Sequence, residues 1–98
     1  MIRLTHLTGS LQGTASMSPK AVIRIGRGED CDVQFDARLD SRVSTHHAEI
    51  RFEGGQYVLI DVGSTNGTLV NGEVVMEREL KNGDAITIGQ NAVNFALH

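Results

Sequence analysis

Three short polar clusters hold the side chains of this sequence that could do chemistry: Gly26-Arg27, Ser44-Thr45-His46-His47 and Ser64-Thr65-Asn66-Gly67. The groups suit a phosphate ester. Arg27 brings a permanent charge on a planar fork that matches two phosphate oxygens; Ser44 and Thr65 bring hydroxyl donors, and Thr45 with neighbouring backbone N–H groups can complete a cage. Asn66 carries both a donor and an acceptor, which suits a peptide main chain better than a phosphate. The inventory is one of recognition. Ser44 and His47 lie close enough in sequence to raise the class of a small hydrolase, but no oxyanion hole or orienting acid accompanies them.

Other signatures of catalysis or metal binding fall short. Residues 26–31, "GRGEDC", begin like a dinucleotide-binding turn but end in Cys31 and open no helical pattern. There is no GxSxG elbow and no GxxxxGK[ST] loop. His46 and His47 are adjacent, which on a strand sends their rings to opposite faces, and no CxxC or HExxH pattern supports them. Cys31 sits between Asp30 and Asp32, without the electropositive setting of a reactive thiolate, and reads as a packed thiol. The expectation is no catalytic residue, no metal and no cofactor.

The elements that position these clusters read as strands. Ala48, Ile50 and Phe52 alternate with Glu49, Arg51 and Glu53, and Val58 and Ile60 alternate with Tyr57, Leu59 and Asp61. Further strands are expected over 2–7, 10–15, 21–26, 33–35, 68–70, 73–75, 85–88 and 92–97. Gly54-Gly55, Asn71-Gly72, Asn82-Gly83-Asp84 and Gly89-Gln90-Asn91 separate them. Many short strands punctuated by glycine point to an all-β sandwich, in which loops gather at two ends and three of them could converge on one site. Asn71-Gly72, between "TLV" and "EVV", is a hairpin turn. Residues 63–67 are longer than a hairpin needs and suit a loop that holds something.

The 98 residues allow one domain, 1–98, with a single core. No apolar run approaches the ~20 residues of a membrane span, no signal peptide is apparent at the start, and the single cysteine fits a reducing compartment. A cytoplasmic protein without a membrane partner is expected. A net charge of −3 argues against a general nucleic-acid binder, which has a basic footprint, but leaves room for one local phosphate. The stretch 24–42 mixes acidic residues with Arg24, Arg27, Arg38 and Arg42; read singly, each arginine could be a surface ion-pair member.

"IGRGEDCDV", "VSTHHAEI" and "DVGSTNGTLVNG", in that order and followed by "LKNGDAITIG", resemble the successive blocks of a forkhead-associated (FHA) domain from about Ile23 to Ile88. The resemblance implies a β-sandwich of two antiparallel sheets with about eleven strands, binding phosphothreonine peptides through loops at one end. It implies that Arg27 and Ser44 hold the phosphate, with Thr65 lining the pocket and Asn66 gripping the peptide main chain. His47 would brace the loops, Gly26 and Gly67 would meet backbone requirements, and Asn71 and Gly72 would support the loop region. Thr45 stands where many members carry a basic or amide residue, which lowers the expected phosphate affinity. Arg42, two positions before Ser44, would read the side chain three residues after the phosphothreonine. Strict alternation back from Ala48 puts His46 inward and His47 outward, so the resemblance requires the strand to start near Ala48. The partner expected is a phosphothreonine-containing protein or peptide, with the oligomeric state open. The alternative is a domain of the same fold that binds partners without phosphate.

Overall fold

A computed structural model describes residues 1–97, and their backbone forms eleven strands. In chain order these are β1 Ile2–His6, β2 Ala15–Ser18, β3 Val22–Gly26, β4 Val33–Gln34, β5 Ala48–Glu53 and β6 Gln56–Asp61; then β7 Thr68–Val70, β8 Glu73–Val74, β9 Glu77–Glu79, β10 Ala85–Ile88 and β11 Asn91–Leu97. They build two sheets, one ordered β2-β1-β11-β10-β7-β8 and the other β4-β3-β5-β6-β9. The two-sheet sandwich is as expected. One pair departs from the antiparallel rule: β4 runs parallel to β3, with Ile25 opposite Val33, and Phe35 N–H continues the ladder to Gly26 O at 2.8 Å.

The period-two pattern becomes an interior shared by the two sheets. Ile2 and Leu4 on β1, Ile23 and Ile25 on β3, and Val93 and Phe95 on β11 are all buried. Each such side chain contributes roughly 1.5–3 kcal/mol on leaving water. On β6 both faces are apolar, so the pattern alone leaves the inward face open. The structure turns Leu59 and Asp61 inward and leaves Val58 and Ile60 half-buried.

One expected strand needs correction, and one strand was not expected. Residues 10–14 form turns, with Gln12 N–H bonded to Gly9 O and Thr14 N–H to Leu11 O, and the strand begins only at Ala15. β9, Glu77–Glu79, went unforeseen because its residues are charged and show no apolar alternation; it is an edge strand paired only with β6, where charge protects against edge-to-edge association. Asn71-Gly72 forms the expected β7–β8 hairpin, both residues at positive φ (50° and 85°).

Candidate phosphopeptide-binding site

The three polar clusters meet at one end of the sandwich because strand register brings their anchor points together. Ile25 pairs with Ala48 and Ala48 with Asp61, so the end of β3, the start of β5 and the end of β6 lie side by side. Two bonds carry that ladder into the loops: His47 N–H to Ile25 O at 2.9 Å and Val62 N–H to His47 O at 3.1 Å. Next to them, Arg27 N–H reaches Ser44 O at 3.1 Å and Gly28 N–H reaches Thr45 O at 3.0 Å. Gly26 is required by this approach, since a Cβ there would lie 2.2 Å from the Thr45 carbonyl oxygen.

β5 begins at Ala48, so the alternation no longer dictates the histidines: His46 is exposed and His47 fully buried. His47 Nδ1 accepts the Ser44 N–H at 3.0 Å, and its Nε2 donates to Gly67 O at 2.8 Å. Only the neutral imidazole protonated at Nε2 satisfies both bonds. Burial lowers the His47 pKa below its ordinary value, outweighing the Gly67 carbonyl and the Asp61 charge, which favour protonation. His47 therefore ties the Ser44 loop to residues 63–67 as an uncharged brace.

Two further bonds cross between the same loops. Ser44 Oγ accepts the Thr65 N–H at 3.0 Å, which leaves the hydroxyl proton free to be donated outward. Asn66 Nδ2 donates to Arg42 O at 2.9 Å, leaving its Oδ1 and second N–H for another partner. The 63–67 loop itself hangs on a residue the sequence reading missed. Asp61 Oδ1 accepts the N–H groups of Gly63 and Ser64, both at 2.8 Å; Oδ2 accepts the hydroxyls of Ser64 at 2.5 Å and Thr68 at 2.8 Å. Burial alone would raise the Asp61 pKa, but these donors, the Ser64 hydroxyl foremost, hold it below the ordinary carboxylate value. The Ser64 hydroxyl in turn accepts Gly67 N–H at 3.0 Å. An aspartate two residues before a Gly-Ser pair is the signal that could have marked this turn.

Arg27 is half-buried and makes none of the ion pairs its neighbours could offer. Asp30 pairs with His46 at 3.0 Å, and Asp32 is engaged by Lys20 and by the Arg24 N–H. The Arg27 Nη1 has a single long contact, to Ala37 O at 3.3 Å, and its Nε is buried without a partner. Arg42 is exposed, and the carboxylates nearest in sequence are committed elsewhere: Asp36 Oδ1 caps the N–H groups of Arg38 and Leu39, and the buried Asp40 holds Ser10. Thr45 projects an exposed side chain, while its carbonyl receives Gly28 N–H and, at 3.5 Å, the buried Cys31 thiol. Burial raises the Cys31 pKa, consistent with a packed thiol.

The structure thus brings Gly26, Arg27, Arg42, Ser44, Thr45, His47, Thr65, Asn66 and Gly67 to one end. Asn71 and Gly72 lie at the other end of β7. Asn71 bonds Asp84 and the Ala85 N–H, both at 3.0 Å, so its side chain secures the start of β10 rather than the 63–67 loop.

Cross-tied loops carrying an uncompensated arginine, free hydroxyls and a main-chain-gripping asparagine, all at one end of a two-sheet sandwich, define a class of loop-based ligand-binding β modules. The chain belongs to the FHA domain family, whose model matches residues 23–89. It is similar to the glycogen accumulation regulator GarA of Mycolicibacterium smegmatis, 42% identical over 87 residues covering 89% of this chain and 53% of that protein. The chain accordingly spans about half the length of that relative. Among solved structures it is similar to one described as an analysis of phosphothreonine-dependent FHA domain interactions, at 35% identity and a TM-score of 0.87, covering 99% of this chain and 96% of that one. A second is the FhaA FHA domain complexed with the intracellular domain of Rv3910, at 35% identity and a TM-score of 0.84, covering 97% of this chain and 99% of that one.

Proposed function

We propose that residues 1–98 are a single phosphothreonine-dependent peptide-binding module that serves regulated protein assembly. The observation that carries this reading is Arg27: a half-buried guanidinium with no carboxylate partner, its backbone bonded to that of Ser44, while the nearby Asp30 and Asp32 are engaged by His46 and Lys20. Leaving such a charge unpaired is unfavourable, and a phosphate dianion would relieve it through two parallel hydrogen bonds. Ser44 and Thr65 donate hydroxyls to the same phosphate, and Asn66 holds the ligand main chain.

The relative that regulates glycogen accumulation, and the solved structures concerned with phosphothreonine-dependent interactions, support the same reading by family membership. No bond is made or broken in this function, and it needs no cofactor. A cytoplasmic setting suits a single buried thiol. The test is capture from a degenerate phosphothreonine peptide library beside its unphosphorylated counterpart, with Arg27→Ala as control. Phosphate-dependent enrichment by the wild type alone is the expected outcome. Equal capture with and without phosphate would assign the module to phosphate-independent assembly.

A further inference from the structure

The surface beside Arg27 continues past the residues already assigned. In its sheet, β3 lies between β4 and β5, and Arg27 follows the end of β3. On the β5 side stand Ser44 and, cross-tied to it, Thr65 and Asn66. On the β4 side, Gln34 Nε2 donates to Arg27 O at 3.3 Å, and there the surface opens into a hollow of about 450 Å³ whose lining mixes Leu11, Ala37 and Leu39 with Ser10, Arg27 and Asp36.

Leu39 is the feature that calls for an explanation. It is 75% exposed, the most exposed of the large apolar side chains among the described residues. A leucine on a slack loop would need none, but this backbone is held: Asp36 Oδ1 accepts the Leu39 N–H at 2.8 Å, Asp40 N–H returns to Asp36 O at 3.0 Å, and the Asp40 carboxylate is buried against Ser10. The turn presents an apolar side chain to water, at a hollow that the half-buried Leu11 also lines.

We infer that this hollow is a second subsite of the groove, taking an aliphatic or aromatic side chain of the phosphopeptide. That side chain comes from the stretch lying across the phosphothreonine from the residues gripped by Asn66. The inference rests on the phosphothreonine reading. Its occupant is set by continuity, because Arg27, the residue proposed to hold the phosphate, also lines the hollow, so a ligand chain held there would pass over one flank or the other. At ~3.3 Å per extended residue, the side chain concerned is within about three residues of the phosphothreonine. Asp36, also at the hollow, disfavours an acidic residue on this flank.

The experiment is a competition assay by fluorescence polarisation, using phosphothreonine peptides in which each flanking position is replaced in turn by Leu, Phe, Ser or Asp. Wild type, Leu39→Ser, Arg27→Ala and Val74→Ser are compared; Val74 is a similarly exposed apolar residue on β8, at 74%. The wild type should prefer Leu or Phe over Ser about three- to tenfold at one position on one flank, the gain expected from partly burying such a side chain. Leu39→Ser should reduce that ratio to within about twofold, and Val74→Ser should keep it. Arg27-dependent binding with no apolar preference, or a preference that survives Leu39→Ser, overturns this inference alone. Absent or Arg27-independent binding overturns the phosphothreonine reading and this inference with it.

Discussion

At the scale of single residues, the site depends on donors whose own partners are arranged in advance. Asp61 accepts four hydrogen bonds that shape residues 63–68, so Asp61→Ala leaves several loop donors unsatisfied. Each buried group stranded in this way costs ~1–3 kcal/mol. The variant should lose stability in a denaturant titration and lose phosphopeptide affinity together, whereas Asp61→Asn, which keeps one acceptor oxygen, should lose less of both. His47 makes a prediction about pH. Its folded pKa lies below the ordinary value of 6.5, as does that of the buried His6, in each case chiefly through burial. The unfolded chain therefore binds more protons than the folded one between the lowered values and 6.5, and stability is complete above that range and falls as pH drops through it. Thermal unfolding of the free protein from pH 7.5 to 5 should show a falling midpoint, with the loss diminished in a folded His47→Gln variant. Affinity for a phosphate ligand should fall over the same range, since the second phosphate pKa is near ~6.

At the scale of elements, the loop bearing Arg42 and Ser44 is propped from the β1–β2 turn, which precedes the segment matched by the family model. Ser10 donates its N–H to Asp40 Oδ1 at 3.1 Å and its hydroxyl to Oδ2, while Asp36 N–H reaches Ser10 Oγ at 3.3 Å. Ser10→Ala should raise amide exchange over 36–42 more than across β10 and β11, with a stability loss of ~1–2 kcal/mol for the buried carboxylate bond. Uniform exchange changes would show that the turn and the loop are not coupled. This link illustrates what the sequence conceals: Ser10 and Asp40 are thirty residues apart, and nothing in their types pairs them. β9 was hidden for a different reason, since a charged edge strand lacks the periodicity that marks a buried face. That Arg27, Ser44, Thr65 and Asn66 come together at one end was legible because polar side chains cluster there next to glycine between apolar runs. The partition of the two histidines followed from where β5 starts, a boundary that alternation alone misplaces.

At the scale of the whole molecule, two sheets form the frame, and the candidate ligand end carries arginines on a chain of net charge −3. Positive charge there comes from Arg27 and Arg42, so a phosphopeptide ligand would be selected by short-range geometry more than by long-range attraction. Two kinds of selectivity follow. Phosphothreonine should bind more tightly than phosphoserine by about 0.8 kcal/mol if its methyl is buried beside the 63–67 loop, and matched peptide pairs measure this directly. An Asp or Glu three residues after the phosphothreonine should add about 1 kcal/mol at low salt, less at physiological salt, and the increment should vanish in Arg42→Ala. In the proposed function, Arg27 pairs with a ligand phosphate. The most direct measurement is calorimetric titration of wild type and Arg27→Ala with one phosphothreonine peptide selected from the library, with the folded state of the variant verified by its unfolding curve. Loss of a buried charge partner costs ~2–5 kcal/mol, so a micromolar affinity in the wild type should become undetectable in the folded variant. A folded Arg27→Ala protein that binds the phosphopeptide as tightly as the wild type would contradict it.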